Sequence, residues 1–269
     1  MAVTICLINQ KGGCGKSSTC FHLAGHFAKS GRNTLLIDAD PQGSLSQGFF
    51  GSAVVENLPA GETLAALFDD EQYCSTPKLP PAETTTTGIF VLRANQTLAP
   101  FNRPYPEASG MLQYALREFV EQVIGYDVIL IDCPPNLYQC SWTAMVAADY
   151  VVIPVPPEDF GTQGLRVVHQ AIDQAQLLNP GLRLLGHLVT RCDSRLLVHQ
   201  SYERKLRSLY GETVLATVIP EAAAFKVALS SRQPVTHYSP ASRAAALTSE
   251  LGVELLERIG SDMLARRVA

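Results

Sequence analysis

Long apolar runs are absent from this 269-residue sequence, and none approaches the ~20 residues that a membrane-spanning helix needs. Charge is also sparse, since charged residues make up 17% of the chain and the formal net charge is −4. There is no strong overall basic field, so any contact with nucleic acid would have to come from a local patch. The hydrophobic residues, 46% of the chain, are enough for a large buried core.

Paired cysteines are missing as well. The seven cysteines include no CxxC pair, and their spacing offers no zinc or iron–sulfur ligand set within one chain. Their odd number and irregular spacing favour free thiols in a reducing cytoplasm. The first residues lack the basic and apolar regions of a signal peptide. We therefore expect a cytoplasmic protein.

What the sequence does contain is a regular alternation of apolar runs and helical patterns. Short β-branched runs predict strands at residues 3–8, 34–38, 88–93, 127–132, 149–155, 183–190 and 213–219. Helical patterns predict helices at residues 17–29, 111–124, 162–178, 198–209 and 242–266. Apolar strands separated by helices predict an α/β fold with a doubly wound, mostly parallel sheet and helices on both faces. We expect a single domain over residues 1–269, with an exposed excursion at residues 69–88.

The segment GGCGKSS lies between the first strand and the first helix, the layout of a phosphate-binding loop (P-loop). Its glycines allow backbone N–H groups to converge on phosphate oxygens, aided by the helix N-terminus. Lys16 supplies a positive charge for the β- and γ-phosphates, and Ser17 a hydroxyl ligand for Mg²⁺. Asp132, at the end of an apolar strand, is the expected second Mg²⁺ ligand, since ligands of open α/β sheets bind at that edge. The predicted nucleotide contacts of this segment are Gly12, Gly13, Cys14, Gly15, Lys16, Ser17 and Ser18.

Four motifs occur in a characteristic order and spacing: KGGCGKSS, LLIDADPQGSLS, DVILIDCPPN and DYVVIPVPPEDFGTQGL. On these motifs the sequence resembles the deviant-Walker-A P-loop ATPases of the ParA/Soj/MinD group, and its DPQG form is similar to the ParA/Soj branch. The resemblance covers essentially the whole chain. It implies an ATPase of slow intrinsic turnover that uses ATP and Mg²⁺.

The resemblance also implies roles for individual residues. Lys11 corresponds to the signature lysine, which reaches the partner subunit's phosphates in an ATP-dependent nucleotide-sandwich homodimer. Asp40 corresponds to the residue that orients the attacking water, whereas Asp38 fits either a position behind the Mg²⁺ ligands or a structural role. Pro220 and Ala222 fall in the adenine-binding loop. Family members usually have an asparagine at the position of Ala222, whose side chain contacts adenine. In this chain backbone groups would have to recognise the adenine instead.

A further implication of the resemblance is DNA binding without sequence preference in the ATP state, which would place the protein on the nucleoid. The cargo would be a plasmid, a chromosome or a protein assembly, and a ParB-like partner would stimulate hydrolysis. The basic residues that could contact DNA are Arg195, Arg204, Lys205, Arg207 and Lys226. An ordinary solvated helix face is the alternative.

The chain departs from the family where Soj-like proteins have IPRNVRLSEAP, since it has IPEAAAFKVAL, with Glu221 and Ala224. Because the chain begins a few residues before the P-loop, we expect no operator-reading helix-turn-helix.

Two alternative functions use the same fold. A MinD-like membrane protein requires a C-terminal amphipathic helix with basic flanks. The segment ELLERIGSDMLARRVA has Arg266 and Arg267 but no aromatic residue, and Gly260 should interrupt it; we expect it to pack on the domain. An iron-protein-like metal carrier could share a cluster between subunits through Cys133, although the DCPP form is common in ParA-like switches without a cluster.

Overall fold

The apolar runs predicted as strands enter one eight-stranded sheet in the computed structural model, which describes residues 2–68, 81–157 and 162–268. The strands are β1 (Val3–Leu7), β2 (Thr34–Asp38), β3 (Ala82–Glu83), β4 (Ile89–Leu92), β5 (Val128–Asp132), β6 (Tyr150–Val155), β7 (Arg183–Cys192) and β8 (Val214–Pro220). Their order across the sheet is β3-β4-β2-β5-β1-β6-β7-β8. All neighbours pair in parallel except β3 and β4. The predicted mostly parallel sheet is confirmed, and β3 is an addition too short to form a sequence pattern.

Helices cover both faces of this sheet. They are α1 (Lys16–Lys29), α2 (Ser44–Phe50), α3 (Ser52–Val55), α4 (Ala115–Gln122), α5 (Gln139–Ala147), α6 (Thr162–Ala175), α7 (Leu197–Tyr210), α8 (Ala223–Ser230), α9 (Val235–Tyr238) and α10 (Arg243–Val268). Short 3-10 turns lie at Ala60–Glu62, Leu64–Phe68, Gln96–Phe101, Pro106–Ala108, Gly110–Tyr114 and Gly211–Thr213. Along β1, Ile5 and Leu7 pack into one core cluster and Cys6 into another. Because successive strand residues point to opposite faces, the two clusters lie on the two sides of the sheet.

Several helices differ from the sequence prediction. The helix predicted at residues 111–124 begins as a 3-10 turn and is α-helical only in α4. The helix α5 was not predicted because it is buried on nearly every side and shows no polar stripe. The expected interruption at Gly260 is wrong: α10 runs through it without a break, and Gly260 faces open space where a glycine meets no steric demand.

Some predicted features fall on residues outside the described ranges. Residues 69–80 of the predicted excursion lie outside them, as do residues 158–161 of the DYVVIPVPPEDFGTQGL motif and the side chains of Arg266 and Arg267.

The register of the central strands decides where the functional residues meet. Asp38 at the end of β2 pairs with Asp132 at the end of β5, and Leu7 at the end of β1 pairs with the same Asp132. The loop that follows β1 therefore emerges beside two carboxylates, at the carboxyl edge of the sheet where open α/β folds bind ligands.

Candidate active site

The segment after β1 adopts the backbone geometry of a phosphate-binding loop. Gly13 and Gly15 have φ angles of 69° and 92°, a left-handed conformation that favours glycine. Gly15 is also the N-cap of α1, and its carbonyl accepts the N–H of Thr19 at 2.8 Å. The loop thus leads directly into a helix N-terminus, where backbone N–H groups and the helix dipole favour an anion.

Lys16 lies inside this loop rather than in solvent. Its side chain is buried, and Nζ donates to the carbonyl oxygens of Asn9 at 3.1 Å and Lys11 at 3.2 Å. The Sγ atom of Cys14 is 3.7 Å away. These contacts hold the ammonium group against the loop, where a bound polyphosphate would need a positive charge.

Asp132 provides the clearest sign of a cation site. The residue is fully buried, and neither carboxylate oxygen has a partner with hydrogen-bond geometry among the described residues, although the Ser17 hydroxyl is near enough to lower its pKa. Burial and the neighbouring Asp38 raise the pKa of Asp132 well above its usual range, whereas Ser17 and Lys16 lower it. A divalent cation would stabilise the ionised carboxylate and supply its missing partner. Ser17 and Asp132 together therefore fit Mg²⁺.

The carboxylate of Asp38 accepts hydrogen bonds from neighbouring residues of the chain. Its Oδ2 atom accepts the Ser46 N–H at 2.8 Å and the Ser46 hydroxyl at 2.7 Å, and its Oδ1 atom accepts the Asp40 N–H at 3.2 Å. Burial raises the pKa of Asp38 to about 7, although the Ser46 bonds oppose the shift. Of the two roles considered for Asp38, these bonds favour the structural one, because they attach α2 to the end of β2.

Asp40 is placed differently from Asp38. It lies on the wall of the same cavity as Lys16. One carboxylate oxygen accepts the N–H of Gln42 at 2.9 Å. Burial raises the pKa of Asp40, and the charge of Lys16 lowers it. A carboxylate in this position can accept a hydrogen bond from a water that attacks a γ-phosphate held by Lys16.

Lys16 and Asp40 line one cavity of about 460 Å³, whereas Asp38 and the predicted Mg²⁺ ligand Asp132 are not among its lining residues. The predicted residues that line it are Gly12, Gly13, Cys14, Gly15, Lys16, Ser17, Ser18, Asp40, Pro220 and Ala222. Lys11 does not belong to this set, since it lines a separate cavity of about 250 Å³ with Asn9, Gln10 and Leu165. Several residues that line the main cavity were not assigned to the nucleotide site from the sequence: Thr19, Phe21, Ser44, Leu45, Thr190, Arg191, Ile219, Glu221, Phe225, Lys226 and Leu229. Of these, only Thr190 and Arg191 could have been predicted from the sequence, because they lie at the end of a predicted strand, at the edge of the sheet where ligands bind.

The comparisons with known proteins agree with this site. Residues 2–184 match the AAA_31 family, described as an AAA domain. The chromosome-partitioning ATPase Soj of Thermus thermophilus is 34% identical over 258 residues, covering 95% of this chain and 96% of Soj. The chromosome partitioning protein ParA of Myxococcus xanthus is 33% identical, covering 98% of this chain and 92% of ParA. The chain belongs to the ParA/Soj family of partition ATPases.

A solved structure supports the ligands of the site. Cobyrinic acid a,c-diamide synthase from Mycobacterium smegmatis, with a bound ATP analogue and magnesium, is 27% identical with a TM-score of 0.76. The match covers 97% of both chains. This ParA/Soj protein is therefore an ATPase with ATP and Mg²⁺ as its cofactors.

The residues considered for DNA contact in this ParA/Soj ATPase lie on and around α7 and α8. Carboxylates bind at least three of them: Asp193 binds Arg195, Glu203 binds Arg207 and Glu221 binds Lys226. Arg204 and Lys205 are exposed on α7, where Arg204 Nε donates to the carbonyl of Gln200 at 3.3 Å. Acidic side chains therefore lie among these basic residues.

Cys133, the residue that suggested a shared metal cluster, is fully buried beside Cys6. Burial raises the pKa of its thiol well above the usual range, which disfavours the thiolate that a cluster requires. Its location argues against a cluster shared at a subunit surface. Within the described ranges, no three His, Cys, Asp or Glu side chains lie close enough together to hold a metal ion.

The C-terminal helix of this ATPase uses its apolar face within the fold. Leu251, Leu255 and Ile259 of α10 are buried in the core cluster that also contains Phe21 of α1. The predicted packing of this helix on the domain is therefore observed. Among the described helices, none combines the length and apolar character needed to cross a membrane.

Proposed function

We propose that this ATPase is a dimerising switch whose ATP state binds DNA without sequence preference and positions a cargo. The observation that carries the proposal is the placement of Lys11, which belongs to the P-loop segment but does not line the nucleotide cavity of its own chain. A lysine in this position fits contact with a nucleotide held by a second copy. The names of the Soj and ParA relatives support a role in partition.

In this mechanism each residue of the site has a separate task. Gly12–Gly15 and Lys16 bind the phosphates, Ser17 and Asp132 hold Mg²⁺, and Asp40 orients the attacking water. The bound metal would neutralise charge that develops on the β- and γ-phosphates. Lys11 would add a positive charge across the dimer interface, which favours the ATP dimer over the ADP dimer because ATP has one more phosphate there.

The DNA contact would come from α7 and the start of α8. Arg204 and Lys205 are exposed on one helix, and lysine or arginine contacts with DNA phosphates provide affinity through counterion release. A ParB-like partner would stimulate slow hydrolysis and release the DNA. We place this cycle in the cytoplasm, on the nucleoid in the ATP state. The cargo would be a plasmid, a chromosome or a protein assembly.

Gel filtration and DNA co-sedimentation test the proposal. They compare wild-type protein with the variants K11A, K16A and K29A, each in ATP, in ADP or without nucleotide. Lys29 is an exposed lysine at the end of α1, remote from the P-loop, and so is a matched control. We expect wild type and K29A to dimerise and bind DNA only with ATP, with affinity that falls steeply as salt rises. K11A should bind ATP and remain monomeric, and K16A should bind no nucleotide. Dimers of K11A equal to wild type would refute the role of Lys11, and ATP dimers that ignore DNA would refute the DNA contact.

A further inference from the structure

The end of β7 contacts the outer side of the P-loop through two consecutive residues. The Thr190 hydroxyl donates to the carbonyl of Cys14 at 2.7 Å, and Arg191 Nη1 donates to the carbonyl of Gly13 at 2.9 Å. The Gly13 carbonyl and the Cys14 N–H belong to one planar peptide and point in opposite directions. A bond that holds this carbonyl outward therefore holds the N–H inward, towards the position of a bound phosphate.

Arg191 adopts an unusual backbone conformation to make this contact. Its φ angle is 53°, in the left-handed region that residues other than glycine rarely occupy. Such a conformation persists only where the surrounding contacts maintain it, and it is found preferentially at functional sites. Here it occurs at the carboxyl edge of the sheet, on the wall of the ATP cavity.

The other side of the Arg191 guanidinium is held by an ion pair. Nη2 donates to Glu221 Oε2 at 3.2 Å, and Glu221 Oε1 accepts Lys226 Nζ at 2.7 Å. Hydrogen bonds from Lys226 and Arg191 lower the pKa of the Glu221 carboxyl, so that it is ionised at neutral pH. All three side chains line the ATP cavity. They form a continuous chain of contacts from the P-loop to α8.

We propose that Arg191 is a positioning residue for ATP, and that Glu221 together with Lys226 holds its guanidinium against the Gly13 carbonyl. The inference goes beyond ATP hydrolysis itself, because it names the side chain that sets the orientation of a phosphate-binding peptide. Arg191 acts on the loop and not on the reacting atoms. Its loss should therefore weaken the binding of ATP and ADP alike and leave the chemical step unchanged.

The test compares R191M with wild type and with the control R183M by ATPase kinetics and by binding of ATP and ADP. Arg183 begins the same strand at the opposite edge of the sheet, where it bonds to the carbonyls of Pro180 and Leu182. We expect R191M to raise KM and both dissociation constants about tenfold, with kcat within about twofold, because it loses a charge-assisted hydrogen bond. R183M should match wild type in all of these values.

Two further measurements distinguish loop positioning from simple charge attraction. R191K keeps the charge but cannot bridge Gly13 and Glu221 together. It should show an intermediate defect of about threefold. The dissociation constant of R191M should stay about tenfold above that of wild type from about 50 to about 500 mM salt. A purely electrostatic effect would decrease as salt screens the charge. A circular dichroism melt checks folding, and if R191M fails to fold, R191K alone decides the question.

The role of Glu221 is tested by a double-mutant cycle. E221Q should change KM by a factor that differs at least about twofold between the Arg191 and R191M backgrounds, since it acts through Arg191. Additive effects would overturn the part of the proposal that concerns Glu221. A KM of R191M within twofold of wild type, or a fall in kcat without a change in KM, would overturn the positioning role of Arg191.

Discussion

Replacement of Asp132 by asparagine should stabilise the nucleotide-free protein and abolish its response to Mg²⁺ and ATP. In the described part of the chain neither oxygen of this buried carboxylate has a partner with hydrogen-bond geometry, Ser17 only lowers its pKa in part, and Asp38 is its neighbour across the β2–β5 pair. An unpaired buried polar group costs about 1–3 kcal/mol, and a charged one costs more. An asparagine of the same shape also leaves polar atoms unpaired, but it removes the extra cost of an ionised buried group and its repulsion from Asp38. The free energy of unfolding should therefore rise by about 1–3 kcal/mol.

This gain should be visible in thermal melts. For a domain of this size each kcal/mol shifts Tm by about 2–4 °C, so D132N should melt roughly 2–12 °C above wild type in EDTA. Added MgATP should raise the Tm of wild type but not that of D132N, because the metal ligand is gone. E250Q is a suitable control, since Glu250 is an exposed carboxylate on α10. A nucleotide-free D132N that melts below wild type would refute the reasoning, because the carboxylate would then have a stabilising partner. A preserved MgATP shift would remove Asp132 from the metal site.

The remaining predictions concern hydrolysis and pH. D40A should lower kcat about 100-fold or more while ATP affinity stays within about threefold, as measured by phosphate release and equilibrium binding; normal turnover would exclude Asp40 as the water-orienting residue. Burial lowers the pKa of His187 to about 4, with the neighbouring His169 adding to the shift. His187 binds a proton near pH 6.5 in the unfolded chain but only near pH 4 in the folded protein. The free energy of unfolding therefore decreases as the pH falls from about 6.5 to about 4. Urea unfolding at pH 7 and pH 5 should show a loss of about 2 kcal/mol from this residue; an H187Q variant with the same loss would contradict the assignment.

The sequence was sufficient for the features that depend on local pattern. Most strands are short, β-branched apolar runs, and the P-loop has a fixed spacing of glycine and lysine, so both are located to within a residue or two. The helices α2 and α8 were missed because each has only seven or eight residues, too few to show a helical period. The continuity of α10 was missed because a glycine inside a helix disfavours it only weakly, and packing of its apolar face outweighs that cost.

The part of the site that escaped prediction depends on contacts between distant segments. Glu221 stood out in sequence as an acidic residue where a basic one is usual, but its partners Arg191 and Lys226 are known only from the fold. Arg191 is 30 positions away from Glu221, and no spacing rule links the end of one strand to the loop after the next. Likewise, the structural attachment of Asp38 to Ser46 appears only when α2 folds back onto the end of β2.

The carboxyl edge of the sheet concentrates features that are unfavourable without a ligand. Asp132 has a carboxylate without a partner of hydrogen-bond geometry, and the backbone of Arg191 is in the left-handed region. Lys16 is a buried lysine bonded mainly to carbonyl oxygens. All three lie at or near the ATP cavity. Most other residues of the sheet are apolar and pack on both faces, which provides the stability that these features reduce. MgATP supplies a cation for Asp132 and an anion for Lys16 and the loop N–H groups. Binding should therefore stabilise this edge more than its contact area alone suggests, and this local gain is the free energy available to drive the proposed switch.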